Sequence, residues 1–153
     1  MKETDKIFLK IITPDKVVLE DTVEQVSLPT EAGEITILPN HIPLITNLMP
    51  GILESRKNGD GLPMAVSGGF MEFHGNQLTI LADTAERAEE IDLEEAEAAR
   101  KRAEQMKSDQ SKNMNENQYA SVVSIIDKQM ARIKLAKRFH TTKGMGLGNG
   151  EKK

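Results

Sequence analysis

The sequence predicts an α+β chain in strict order, an N-terminal antiparallel β-sandwich followed by a C-terminal antiparallel α-helical hairpin. Three observations predict it. Short β-branched and apolar runs alternate with turn signals up to residue 82. From Thr84 to Lys107 there is neither Gly nor Pro, and Ala, Glu, Arg and Lys dominate. From Tyr119 to Ile133 apolar residues recur at helical spacing. On these signals residues 1–84 are the sandwich, 85–140 the hairpin, and 141–153 a disordered tail.

The strands come in order. Lys6 to Thr13 is β-branched and apolar, and Val17 to Leu19 follows a Pro14-Asp15 turn. Val23 to Leu28 alternates apolar and polar residues, and Glu34 to Leu38 follows the turn ending at Gly33. Ile52 to Arg56 follows Pro50-Gly51. Asn58-Gly59-Asp60-Gly61 is a hairpin signal, because these residues tolerate positive φ. Met64 to Ser67, Phe70 to His74 and Gln77 to Leu81 complete the set, with Gly75-Asn76 as a second tight turn. Strands at this spacing with no helix between them argue a sandwich or barrel. Gly68-Gly69, inside strand pattern, marks a bulge or a close backbone approach.

The helices follow. Ala, Glu, Arg and Lys are good helix formers, and Thr84 or Asp83 is placed to cap the first helix. Its stripe, Ile91, Ala96, Ala99, Ala103 and Met106, is mostly small. The polar stretch Ser108 to Gln118 breaks the pattern, and residues 119–139 form the second helix. There Tyr119, Val123, Ile126, Met130 and Ile133 make a 4-3-4-3 seam. Two helices of roughly 33 Å, at 1.5 Å per residue, joined by a polar link can fold back on each other. At ~25 cal/mol per Å2 an Ala-rich hairpin buries too little to stand firmly alone. It is expected to lean on another surface and to be able to release it.

Composition narrows function. The 153 residues include no Cys, which removes disulfides, thiolate catalysis and Cys-ligated zinc. Aromatics are only 3%, too few for a deep aromatic pocket. No apolar run is long enough to span a bilayer, and the charged N-terminus is not expected to be a secretory signal. The net charge of -4 hides an asymmetry: residues 1–90 carry 7 basic and 15 acidic side chains, residues 91–153 carry 13 and 9. The basic half has no cluster interleaved with aromatics, so nucleic acid is not expected. It reads as a solvated helical surface, or as a charged arm for an acidic partner.

Little catalytic chemistry is legible. His41, His74 and His140 show no paired metal-ligand spacing. No Walker sequence, nucleophile elbow or triad stands out. No catalytic residue and no metal site are assigned. The informative segment is the loop around Pro39-Asn40-His41-Ile42-Pro43. Two prolines stiffen it. Taken alone, it reads equally as a presented binding surface or as an ordinary corner. A β-sandwich adaptor with a partner-binding hairpin is one alternative function. A small enzyme using His41 with Glu31 or Glu34 is another.

At this loop the sequence resembles the epsilon subunit of F-type ATP synthases. Leu28-Pro-Thr-Glu-Ala-Gly-Glu-Ile-Thr-Ile-Leu-Pro-Asn-His-Ile-Pro-Leu is similar to that family's Gly-Glu-x-x-x-Leu-Pro-x-His-x-Pro signature. Ala65-Val-Ser-Gly-Gly-Phe resembles its Gly-Gly strand, and Leu78 to Asp92 resembles its crossing into the helical part. The resemblance covers roughly residues 6–139.

It implies a non-catalytic rotor subunit on the cytoplasmic face of the bacterial inner membrane. The implied sandwich binds the gamma subunit and the c-ring, and the implied hairpin inhibits ATP hydrolysis at the alpha and beta subunits. Glu34, Asn40 and His41 become rotor-contact candidates, with Asn40 standing where many members have Gly. Lys134, Lys137 and Arg138 become the inhibitory basic-helix candidates. Some bacterial members bind ATP, through a motif resembling Ile-Asp-x-x-Arg-Ala. Here Glu95 occupies the Arg position of Ile91-Asp92-Leu-Glu-Glu95-Ala96. A carboxylate there repels phosphate. Asp92, Arg102, Lys128 and Arg132 are the nucleotide-binding candidates, ATP binding is expected to be weak or absent, and no cofactor is expected.

Overall fold

The computed structural model describes residues 5–146. It divides into two compact units, one ending at Glu86 and the other beginning at Arg87. The strands are β1 (Ile7–Ile12), β2 (Val17–Val23), β3 (Gln25–Thr30), β4 (Gly33–Ile37), β5 (Leu44–Asn47), β6 (Gly51–Lys57), β7 (Asp60–Ser67), β8 (Phe70–His74) and β9 (Gln77–Leu81) in the first unit, with β10 (Thr84–Arg87) at its end. They form two five-stranded sheets, ordered β2-β1-β9-β8-β5 and β10-β7-β6-β3-β4.

Period-two alternation builds the core. In β1, Ile7, Leu9 and Ile11 are fully buried, while Phe8 is exposed. Leu78 and Ile80 of β9, with Met71 and Phe73 of β8, continue that inner face. Val26, Leu28, Ile37, Leu53, Met64 and Val66 supply the opposite sheet, and the two sets form one cluster. This is the expected sandwich.

In the first sheet one pair departs from antiparallel order: β1 runs parallel to β9. Most of the sandwich separates these strands in sequence, so no tight turn dictates their direction. β8 and β9 are joined by Gly75 (φ 56) and Asn76 (φ 59), and β6 and β7 by Asn58 (φ 53) and Gly59 (φ 83). Positive φ at both central residues gives the turn whose twist matches the flanking strands. Gly69 (φ 97) is the close approach expected from the sequence, since a Cβ there would collide with the Leu81 carbonyl oxygen.

The start of the first helix needs correction. Thr84 to Arg87 is strand β10, hydrogen-bonded to β7, and not a helical turn. Asp83 N–H donates to the Ser67 carbonyl at 3.1 Å. The Thr84 and Ser67 hydroxyls are 2.5 Å apart. An open sheet edge supplies more bonds there than intrinsic propensity, a weak prior, can oppose. After a 3-10 turn at Ala88–Glu90, helix α1 spans Leu93–Gln110. Its cap is Asp92, whose carboxylate accepts from Glu95 N–H at 3.0 Å. Strand β5, read from sequence as loop, is short and lies at a sheet edge.

The second unit is a helical pair. Helix α2 spans Glu116–Gly146 and starts at a reciprocal cap. Gln118 N–H donates to Asn115 Oδ1 at 2.9 Å, and Asn115 N–H to Gln118 Oε1 at 3.1 Å. The helix continues past residue 140, where a tail was expected. The Thr141 and Thr142 hydroxyls donate to the Lys137 and Arg138 carbonyls, both at 3.0 Å, one turn back along the helix. The rest of the expected tail, 147–153, lies outside the described residues.

The seam of α2 is rotated from the expected one. Val122, Ile126, Gln129, Ile133 and Ala136 are buried, while Tyr119 and Met130 are 40% and 52% exposed. Spacing is again 4-3-4-3, shifted by one row. Ala103 of α1 packs with Val122, Ile126 and Met114. Tyr119 instead lies beside Lys107, whose Nζ is 5.6 Å from the ring centroid.

Candidate functional site

Two features gather the residues singled out in the sequence, one in each unit. The first is the loop from Leu38 to Pro43. It links β4, the edge of one sheet, to β5, the edge of the other. Glu34 is exposed on β4, opposite Pro29 of β3. Asn40 takes a left-handed conformation (φ 66), one of the few side chains that tolerate it. His41 N–H closes the turn onto the Leu38 carbonyl at 3.2 Å.

The His41 ring is fixed twice. It meets the buried Phe73 edge-on, with ring centroids 5.9 Å apart. Its Nδ1 lies 2.7 Å from the Ile42 carbonyl oxygen. That partner only accepts, so Nδ1 carries a proton. Leu38 is 52% exposed, Ile42 74% and Ile45 71%. Apolar side chains so exposed on one rigid edge read as a contact surface.

An acid–base pair is not assembled here. Glu31 accepts from Asn47 Nδ2 at 3.1 Å, and His41 is bonded to Ile42. Among the described residues, no group of three or more His, Cys, Asp or Glu is arranged to hold a metal. No helix among them is long and apolar enough to cross a membrane.

The second feature lies between the helices. Arg132 Nη1 donates to Glu95 Oε2 and to Gln129 Oε1, both at 2.8 Å. Arg132 is nearly buried, with its side chain 11% exposed, whereas Glu95 is 51% exposed. So the carboxylate at the position where the resemblance has an Arg is the partner of a candidate nucleotide ligand. Asp92 is engaged as the α1 cap. Arg102 is exposed and Lys128 half-buried. Of the four nucleotide candidates, only Arg132 belongs to this network. Lys134, Lys137 and Arg138 are exposed on α2, with Lys137 Nζ 3.7 Å from Glu97.

Sequence reasoning missed three contributors. Gln129 is buried at a seam position, a signal visible only once the seam is correctly phased. Phe73 read simply as part of a strand, Phe70 to His74. Asn76 read simply as a turn residue, yet its side chain reaches Asn40.

A family model described as the ATP synthase delta/epsilon chain beta-sandwich domain matches residues 6–88. The ATP synthase epsilon chain of Herpetosiphon aurantiacus is 56% identical over 99 residues, 65% of this chain and 73% of that protein. That of Chloroflexus aggregans is 54% identical over 97 residues, 63% of this chain and 70% of that protein. Among solved structures, a chain of the Euglena gracilis mitochondrial ATP synthase (OSCP/F1/c-ring) superposes with a TM-score of 0.73. It is 23% identical, and the match covers 89% of this chain and 84% of that one, a likeness of fold. The loop and the Gly-Gly strand lie within the region that the family model matches, and the chain belongs to the ATP synthase delta/epsilon family as an epsilon-type, non-catalytic subunit.

Proposed function

We propose that the chain is a central-stalk rotor subunit of a proton- or sodium-translocating F-type ATP synthase. It acts at the cytoplasmic face of the bacterial inner membrane. Its sandwich couples the gamma subunit to the c-ring, and its hairpin restrains ATP hydrolysis by the alpha and beta subunits. The observation that carries the rotor reading is the rigid loop between two sheet edges, presenting Ile42, 74% exposed, beside His41, with Glu34 exposed on the preceding strand. The descriptions of structurally similar chains name a c-ring, and one names a central stalk, which supports the same assembly.

The regulatory reading is supported by the helical pair, which has a thin apolar seam and a basic second helix. Such a pair is cheap to open and carries charge suited to an acidic partner. Removing residues 88–153 is expected to raise ATP hydrolysis by the assembled complex while leaving assembly intact. Unchanged hydrolysis would refute the inhibitory role. Failure of the chain to co-purify with gamma would favour the adaptor reading. Weak or absent ATP binding fits the pairing of Glu95 with Arg132. Isothermal titration showing micromolar binding by the whole chain would overturn it.

A further inference from the structure

Asn76 lies 36 residues from Asn40 in sequence, in the turn between β8 and β9. The two side chains nonetheless meet. Asn40 N–H donates to Asn76 Oδ1 at 2.6 Å, and Asn76 Nδ2 donates to Asn40 Oδ1 at 3.1 Å. The turn that carries Asn76 is itself anchored, since Phe8 N–H of β1 donates to the Asn76 carbonyl at 2.8 Å.

The loop has few other restraints. Pro39 and Pro43 have no N–H, so only Asn40, His41 and Ile42 offer backbone donors between them. Asn40 uses its donor on Asn76 and His41 uses its donor on Leu38. Asn40 also sits at φ 66, a left-handed conformation that Asn tolerates, so its amide direction is set by the turn.

We infer that Asn76 is a positioning residue for the loop, acting through Asn40 to set where His41 and Ile42 stand. The amide is well suited to this task, because it supplies an acceptor for the Asn40 backbone and a donor for the Asn40 side chain at once. Asn76 also tolerates the positive φ of its own turn. The consequence for coupling rests on the rotor-contact reading proposed above. The clasp itself does not.

The test uses Asn76→Gly, which keeps a turn residue comfortable at positive φ and removes the side chain that makes the clasp. In the whole chain, amide exchange at Asn40 should quicken about fivefold or more, the size of one net hydrogen bond. His41 and Ile42 resonances should shift, while Leu9 and Ile80 amides keep their protection. Asn76→Asp retains the acceptor and should keep Asn40 exchange within about twofold of the parent chain. In the assembled complex, Asn76→Gly should lower ion pumping per ATP hydrolysed.

Unchanged Asn40 exchange in Asn76→Gly would overturn the clasp. Quickened exchange with unimpaired pumping would overturn the positioning role, provided His41→Ala lowers pumping in the same assay. If His41→Ala also leaves pumping intact, the rotor-contact reading fails, and the functional part of this inference fails with it.

Discussion

Replacing Glu95 with Gln isolates one of the charges that join the two helices. The side chain keeps its size, and the start of α1 keeps its cap at Asp92. What is lost is the ionic part of a 2.8 Å bond to Arg132. Glu95 is half exposed, so screening reduces its worth toward the 0.2–1 kcal/mol of a surface pair, roughly speaking. Arg132 pulls the other way, because its side chain is 11% exposed and a buried charge is costly to weaken. The balance is about 1 kcal/mol, or about fivefold in helix-pair opening. Amide exchange of α1 between Ala99 and Ala103 reads that opening directly. Glu94→Gln serves as the control, since Glu94 shares the first turn and its dipole effect, about 0.3 kcal/mol. Glu97→Gln, at a longer and more exposed pair, should cost about 0.2 kcal/mol. Exchange in Glu95→Gln no faster than in Glu94→Gln would refute the claim that this pair stabilises the hairpin.

Other expectations can be checked on the whole chain. Asp92→Ala should cost about 1 kcal/mol and free the Glu95 amide, visible as rapid exchange confined to the first turn of α1. Gly69→Ala forces a Cβ against the Leu81 carbonyl oxygen at a positive φ, and should lower the melting temperature of the sandwich by more than about 10 °C. A melting temperature within a few degrees of the parent would show that the strand yields there. The Asp21 carboxyl, bonded to Lys57 Nζ at 2.5 Å, is held below the usual carboxylate range. Its contribution is present above the ordinary carboxylate pKa near ~4 and is lost as pH falls through the lower folded value. Both side chains are at least a third exposed, so the effect should stay below about 1 kcal/mol. Lys57→Met should shrink that acid-side loss in a pH series of denaturation midpoints, leaving the part due to the Thr22 N–H.

Much of the fold was legible because its signals are local. Alternation in β1, β8 and β9 and the Asn58-Gly59 and Gly75-Asn76 turns follow from a few adjacent residues. The loop around His41 was legible too, since its two prolines and its sequence signature stand together. The start of α1 was not. Ala, Glu and Arg favour helix at 84–87, but the bonds that make those residues a strand come from Ser67 and from β7. The phase of α2 was not legible either, because a 4-3-4-3 pattern can be drawn through Tyr119 and Met130 or, one row away, through Val122 and Gln129. Only the facing helix chooses, and α1 offers Ala103 to one face and Glu95 to Arg132.

By itself, then, the sequence determined that strands precede a helical pair, where the tight turns fall, and which family signature the chain carries. These depend on backbone preference and on contiguous residues. The tertiary structure alone decided which side chain fixes Asn40, which charges join α1 to α2, and that β1 lies parallel to β9. Each of those is a pairing between residues 36 or more positions apart, and what selects such a pairing is the geometry of the folded sheet or helix pair.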